Sequence, residues 1–168
     1  MVIRDAHQGD APALLDIYRP FVLETAVSFE LTPPTVAEFE ARIASAQTHW
    51  AWLVAERAGE VAGYAYASAF RTRAAYRFTV ETSAYVHPDH RGRGFAGALY
   101  RELFEVLREK GYCNAYAGIA LPNDASIAFH KSLGFTHVGT FHRAGWKFGR
   151  WHDVSWWEAR LQDRPPVL

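Results

Sequence analysis

Ala84-Tyr-Val-His-Pro-Asp-His-Arg-Gly-Arg-Gly-Phe-Ala96 is the stretch on which the fold turns. A short apolar strand ends at a proline, and an arginine-flanked glycine loop runs from there into an amphipathic helix. Glycines let a backbone come close to an anion, and the first free N–H groups of a helix point at it. The pattern predicts a phosphate cradle over Arg91–Ala96. Gly92-Arg-Gly94-Phe-Ala-Gly97 also matches the G-x-G-x-x-G dinucleotide fingerprint, but its context does not. The residues His87–Arg91 separate the glycines from the strand end. The next strand, Cys113–Ala120, carries no acid where the fingerprint wants one about 20 residues on. A dinucleotide-dependent oxidoreductase is therefore the weaker reading.

Working outward, Gly94–Lys110 is the clearest helix, with Phe95, Leu99, Leu103 and Leu107 every fourth residue and Gly111 as its stop. Upstream, Val2–Arg4 reads as a strand. Asp10 reads as a helix start, with Leu14, Leu15, Ile17 and Tyr18 at helical spacing, and Pro20 should bend or break that helix. Thr35-Val-Ala-Glu38 is a capping-box pattern opening a second helix, whose Val36, Phe39 and Ile43 share a face. Trp50–Glu56 and Val61–Ala69 flank a glycine turn at Arg57–Glu60, and Tyr76–Val86 is a longer strand. Downstream come a strand at Tyr112–Ile119, a helix at Asn123–Leu133, and strands near Phe135–Ala144 and Val154–Leu161. The expected order is β-α-α-β-β-β-α-β-α-β-β, an α/β chain with an α+β mixed sheet.

The chain has 168 residues, 49% of them hydrophobic and 21% charged. That suits a single folded domain over 1–168, with a frayed tail from about 162 that includes Arg164-Pro-Pro. Eighteen basic and eighteen acidic residues cancel, so neither nucleic acid nor an anionic membrane is an expected partner, and an anion site must be local. Aromatics at 15% fit a cleft rich in flat side chains. Cys113 is the only cysteine, so no intrachain disulfide and no cysteine cage can form. Its neighbours suggest a strand and a buried, inert thiol. His87 and His90 are spaced i,i+3 but within a proline turn, and no metal site is expected. The N-terminus carries no apolar signal segment and no run is long enough to span a bilayer, so a cytoplasmic location is expected.

Arg91-Gly-Arg-Gly94-Phe-Ala96 resembles [Q/R]-x-x-G-x-[G/A], the acetyl-CoA pyrophosphate loop of the GNAT N-acetyltransferase superfamily. Asn123-Asp-Ala-Ser126-Ile127-Ala-Phe129-His130-Lys-Ser-Leu133-Gly134-Phe135 is similar to that superfamily's N-x-x-[A/S]-I-x-L-Y-x-x-L-G-F segment. Glycine loops and Leu-Gly-Phe helix stops are common singly; the ordered pair is not. His130 stands where many members have tyrosine. That feature is shared by the phosphinothricin and methionine sulfoximine N-acetyltransferases. The chain resembles them also at Trp52–Glu56, Ala75–Ser83, Leu121–Asp124 and Gly149–Val154.

The resemblance implies the GNAT fold, a homodimer, and direct acetyl transfer from acetyl-CoA to the α-amine of phosphinothricin, methionine sulfoximine or methionine sulfone. It implies that Glu81 is the base, as a carboxylate inside an apolar strand needs a partner or a purpose; an outward-facing Glu on a half-wet strand is the alternative. His130 is implied in the site as acid, base or substrate anchor, against the plainer reading of a satisfied core histidine. Cofactor contacts are implied for Ala84, Tyr85 and Val86, with a backbone N–H near Tyr85 or Val86 stabilising the acetyl oxygen. They are implied also for Arg91, Gly92, Arg93, Gly94, Phe95 and Ala96, and for Asn123 and Ser126. Asn123 reads independently as a helix N-cap. Substrate contacts are implied for Arg73, with Tyr66 and Tyr76, while Phe29 fits a lid or the core. Arg71, Arg73 and Arg77 fit solvated loop charges equally well. The aromatic segment Trp146–Trp157 is expected to complete the pocket. Other acceptors (polyamine, aminoglycoside, protein N-terminus) and a non-catalytic acetyl-CoA-binding module remain as alternatives. Net neutrality argues against the first two, since polycations select acidic clefts.

Overall fold

The computed structural model describes residues 1–163, so Arg164-Pro-Pro lies outside the described residues. Within them Gln162 is tied down, its amide donating to the carbonyls of Arg108 and Tyr112 at 3.0 and 2.9 Å. The chain runs β1 (Val2–Asp5), α1 (Ala11–Leu23), α2 (Val36–His49), β2 (Trp52–Arg57), β3 (Glu60–Ala69), β4 (Thr79–Val86), α3 (Phe95–Glu109), β5 (Asn114–Ala120), α4 (Asp124–Ser132), β6 (Thr136–Lys147) and β7 (Arg150–Arg160). This is the order read from the sequence.

The seven strands form one sheet in the order β1-β2-β3-β4-β5-β7-β6. Every neighbouring pair is antiparallel except β4 and β5, which run parallel. Two cores follow from strand alternation. On one face Val80, Ala115, Ala117 and Trp157 pack under Phe95, Leu99, Leu103 and Leu107 of α3. On the other, Trp52, Val54 and Tyr64 pack against Leu14, Ile17, Phe39 and Ile43 of α1 and α2.

Several local expectations change. Pro20 does not end α1, which continues to Leu23. The proline sits in the last turn and removes only one ladder bond, while Tyr18 and Val22 on either side of it are buried. Thr35 does cap α2, with Glu38 N–H donating to its hydroxyl at 3.2 Å and Glu38 answering the Thr35 N–H at 2.7 Å. Val36 is exposed, however, and Ala46 replaces it on the buried face. Residues 74–76 form a 3₁₀ turn, so β4 starts at Thr79. Cys113 is half-buried and sits one residue before β5.

Asp10 marks the start of α1 but does not cap that helix with its side chain, which instead closes the 3₁₀ turn at residues 8–10 that leads into it. Its carboxylate accepts two hydrogen bonds from Arg4 at 2.8 Å each, and one from the His7 N–H at 2.8 Å. Burial alone would raise its pKa; the Arg4 and His7 hydrogen bonds outweigh that and hold it below the ordinary carboxylate value. Arg4→Met should therefore destabilise the fold by about 1–3 kcal/mol near neutral pH. A depressed carboxylate stabilises the fold above its unfolded pKa and loses that contribution as pH falls through the folded value. The gap between variant and wild type in urea midpoints should close as Asp10 protonates. A gap that is constant with pH would refute this assignment.

Candidate active site

The site begins where β4 and β5 part. Their register covers only Thr79↔Asn114, Val80↔Ala115 and Glu81↔Tyr116. Further on, β4 stays paired to β3 and β5 to β7, so a wedge opens between them. The His87 N–H donates to Ala62 O and the Cys113 N–H to Phe78 O, both at 2.9 Å. By alternation, odd-numbered residues of β4 bond across to β3, and the main-chain groups of Thr82, Ala84 and Val86 face the wedge. The N–H groups of Ala84 and Val86 therefore have no strand to pair with. The Tyr85 N–H, an expected oxyanion donor, faces β3 instead.

Odd-numbered side chains of β4 point toward the α1/α2 face. There Glu81, Ser83 and Tyr85 line a cavity of about 390 Å³, closed by Val27–Phe29, Tyr66, Phe141, Val154 and Trp156. Five of the thirteen lining residues are aromatic, and burial raises the Glu81 pKa, with Arg71 partly opposing. The Arg71 guanidinium lies 4.2 Å over the Phe70 ring and 5.8 Å from the Trp156 ring. Tyr66 stacks on Trp52 at 4.3 Å, which fixes its ring as a wall.

Through the wedge, on the α3/α4 face, lies a smaller cavity of about 70 Å³ lined by Thr82, Ala84, Tyr100, Ser126 and His130. It shares Val27, Ser83, Tyr85 and Gly118 with the first, so the two are continuous across the sheet. His130 is 7% exposed. Its Nδ1 lies 2.8 Å from Ser126 O, and its Nε2 3.2 Å from the Tyr100 hydroxyl. A carbonyl only accepts, so Nδ1 carries the proton and Nε2 accepts from Tyr100. Burial lowers the imidazole pKa, with the Ser126 carbonyl partly opposing, so the ring is neutral at pH 7. Asn123 caps α4 by accepting from the Ser126 N–H at 3.2 Å, and this fixes the turn that holds the histidine.

The third part is the start of α3. Gly94 is its N-cap at φ +82°, with no side chain answering the first N–H groups. A Cβ at Gly94 would meet nothing, so the left-handed backbone, not space, calls for glycine. Open helix N–H groups, with exposed Arg91 and Arg93 beside them, suit an anion. Among the described residues, no three or more His, Cys, Asp or Glu side chains lie together as metal ligands, and no helix is long and apolar enough to cross a membrane.

Residues 3–156 match the model of the acetyltransferase (GNAT) domain. The chain belongs to the GNAT acetyltransferase family. Phosphinothricin N-acetyltransferase of Streptomyces viridochromogenes is 39% identical over 160 residues, covering 95% of this chain and 87% of that one. The L-methionine sulfoximine/L-methionine sulfone acetyltransferase of Salmonella typhimurium is 38% identical, covering 97% and 96%. A GNAT superfamily phosphinothricin acetyltransferase from Sinorhizobium meliloti, solved in complex with acetyl-CoA, superposes with a TM-score of 0.94 at 38% identity, covering 99% and 92%. The chain is thus an acetyl-CoA-dependent N-acetyltransferase.

Within this GNAT framework Glu81, Tyr66 and Phe29 meet in one cavity, and His130, Ser126 and Ala84 in the other, with Tyr85 in both. Phe95 is buried core rather than open loop. Arg73 and Tyr76 line neither cavity; Arg73 begins the 3₁₀ turn and Tyr76 packs edge-on to Phe70. Of the aromatic C-terminal segment, Trp156 reaches the cavity, while Trp146 and Trp151 lie on the surface. Sequence reasoning missed Thr82, Tyr100 and Gly118. A glycine inside a strand signals a close approach, and a Cβ on Gly118 would stand 3.2 Å from the Trp156 ring. Nitrogen-detected NMR should find His130 protonated at Nδ1 at pH 7, with a pKa below 6.5. An imidazolium at pH 7, or an Nε2–H tautomer, would overturn the hydrogen-bond assignment.

Proposed function

We propose that the acceptor is the α-amine of a small amino-acid-like compound, of the phosphinothricin, methionine sulfoximine or methionine sulfone type, with Glu81 as the base. The observation that carries this is a carboxylate of raised pKa in an aromatic cavity that opens, through the strand wedge, onto unpaired N–H groups. The named relatives support the acceptor class. Acetyl-CoA, when bound, supplies the activated acetyl group. The N–H groups opening α3, the loop Arg91–Ala96, the wedge at Ala84–Val86, and Asn123 with Ser126 are the residues that hold it, because each offers or orders donors toward an anion or a carbonyl.

An α-amine has a pKa of about 8 and is mostly protonated at pH 7. Glu81 takes that proton, directly or through water, and so frees the nitrogen to attack. The Val86 N–H faces the charge that grows on the acyl oxygen. His130 stands on the opposite face with both nitrogens engaged. It is therefore not the base: its one ring proton is held by Ser126 O and its Nε2 takes the Tyr100 O–H, so it braces the wall on the thioester side, and the departing thiolate takes its proton from solvent. Arg71, like Arg73, lines neither cavity, but it is the arginine whose charge opposes the pKa rise of Glu81, and on that ground it is the cation proposed for the acceptor's carboxylate in the place expected of Arg73.

Homodimerisation belongs to the same proposal. Phe141, Trp146, Phe148 and Trp151 are 54%, 57%, 57% and 47% exposed, an apolar patch beside the cavity rim. A small-molecule acceptor fits a chain of zero net charge better than nucleic acid or a membrane does. The cytoplasm, where free amino acids meet acetyl-CoA, is the fitting location.

A CoA-release assay over amino-acid analogues, polyamines, aminoglycosides and N-terminal peptides tests the reading. Turnover should favour the amino-acid analogues; turnover confined to the other classes would refute the acceptor. Because Glu81 must be ionised to act, the acid limb of kcat should lie above the ordinary glutamate value of 4.5. Glu81→Gln should erase that limb and lower kcat by about 10²–10⁴. Its Tm should hold or rise, because a buried amide costs less than a buried carboxylate. Wild-type turnover in the variant would dismiss Glu81 as the base. Trp146→Glu should shift sedimentation from dimer to monomer, and an unchanged profile would remove the patch as the interface.

A further inference from the structure

Lys147 ends β6 with 4% of its surface exposed, and the chemistry proposed above does not use it. Its ammonium donates to Val22 O at 2.6 Å and to Ser28 O at 2.7 Å. Val22 O lies in the last turn of α1, where carbonyls have no intrahelical partner and a cation suits the helix dipole. Ser28 lies in the loop between α1 and α2. One side chain thus ties two points of that connection to the far end of the sheet, across more than a hundred residues of sequence.

An ammonium is costly to bury, and no carboxylate among the described residues forms an ion pair with this one. Burial lowers its pKa, and Glu30 only partly offsets this, as that carboxylate is already paired with Arg42 at 2.6 Å. Such a cost needs a return. The segment it grips carries Val27, which lines both cavities, and Phe29, which lines the Glu81 cavity. The Phe29 ring fills the space a Cβ on Gly145 would occupy, two residues before the lysine. His152 on β7 closes the unit: its Nε2 donates to Lys147 O at 2.9 Å, and its ring lies 6.1 Å from that of Phe29.

We propose that Lys147 is a positioning residue for acceptor binding: its buried ammonium fastens the α1–α2 loop to the β6–β7 hairpin and so sets Phe29 and Val27 over the Glu81 cavity. The proposal rests on reading that cavity as the acceptor site. It requires no contact between the lysine and either substrate.

Lys147→Met and Lys147→Arg are compared with wild type on one amino-acid acceptor that wild type turns over. If wild type turns over none, the acceptor reading has failed, and that outcome is distinct from the one tested here. Lys147→Met should raise the acceptor KM about tenfold, within the hundredfold that a misplacement of order 1 Å costs. The KM for acetyl-CoA should stay within about twofold, since the wedge and the α3 start are held by other residues. Lys147→Arg, which keeps charge and donors, should recover part of the loss. In a double-mutant cycle with Phe29→Ala, the two acceptor-KM effects should be strongly non-additive. Should Lys147→Met fail to fold, Lys147→Gln with hydrogen exchange takes its place: amides of residues 24–31 should exchange faster while those of α3 keep wild-type rates. Equal changes in both KM values, additive effects with Phe29→Ala, or uniform exchange across the chain would reduce Lys147 to a general stability residue and overturn the proposal.

Discussion

The site depends on β4 and β5 ceasing to pair after three residues. Parallel strands ordinarily continue together, because each buried N–H and C=O left alone costs about 1–3 kcal/mol. Here several things hold them apart. The Thr82 hydroxyl donates to Tyr116 O at 3.3 Å, where a ladder would otherwise continue. Tyr100 reaches from α3 to Thr82 at 3.4 Å and to His130 at 3.2 Å, filling the base of the wedge with a ring. The outer partners β3 and β7 keep each strand straight on its far side. A sheet that split without such filling would expose its core. This one turns the split into a passage lined with directed donors.

The passage puts two titratable groups on opposite faces of one sheet, and burial moves their pKa values in opposite directions. Desolvation penalises whichever form is charged, so it raises the Glu81 carboxyl and lowers the His130 imidazole. Both shifts narrow the gap between the two groups, yet their roles separate by geometry. Glu81 faces open cavity with a free proton-accepting edge. His130 is braced at both nitrogens by Ser126 and Tyr100. A neutral histidine braced at both nitrogens is a rigid wall, and in the function proposed above it lines the side of the sheet that receives the thioester.

How far all this was legible in sequence follows from the range of the interactions. Strand and helix order, the capping box at Thr35 and the helix stops at Gly111 and Gly134 are local, and the residues announce them. So is the α3 start, where Gly94 adopts the left-handed backbone its position suggests. Glu81 stood out because an acid in an apolar strand is conspicuous. The choice between Arg71 and Arg73 was not legible. It depends on which guanidinium comes near enough to Glu81 to oppose its pKa rise, and a cluster of three arginines between two strands does not give that distance. Lys147 was invisible for a different reason: its partners are main-chain carbonyls, which any sequence supplies, 119 and 125 residues away. Pro20 misled because its cost depends on position within the helix, and in the last turn it is small.

The aromatic walls serve more than shape. An acceptor arrives as an ammonium, and the faces of Phe29, Tyr66 and Trp156 are negative surfaces that favour a cation by about 0.5–2 kcal/mol where water is excluded. The same rings strip water from Glu81 and so raise its proton affinity toward that of the amine. Attraction and proton acceptance therefore come from one lining. Once the nitrogen is an amide, it carries no charge at any pH of interest, and both the ring faces and the carboxylate lose their hold on it. A box that selects a cationic amine is thereby built to loosen on an uncharged amide nitrogen, and in the function proposed above Arg71, beside Phe70 and Trp156, is the residual grip on the product's carboxylate.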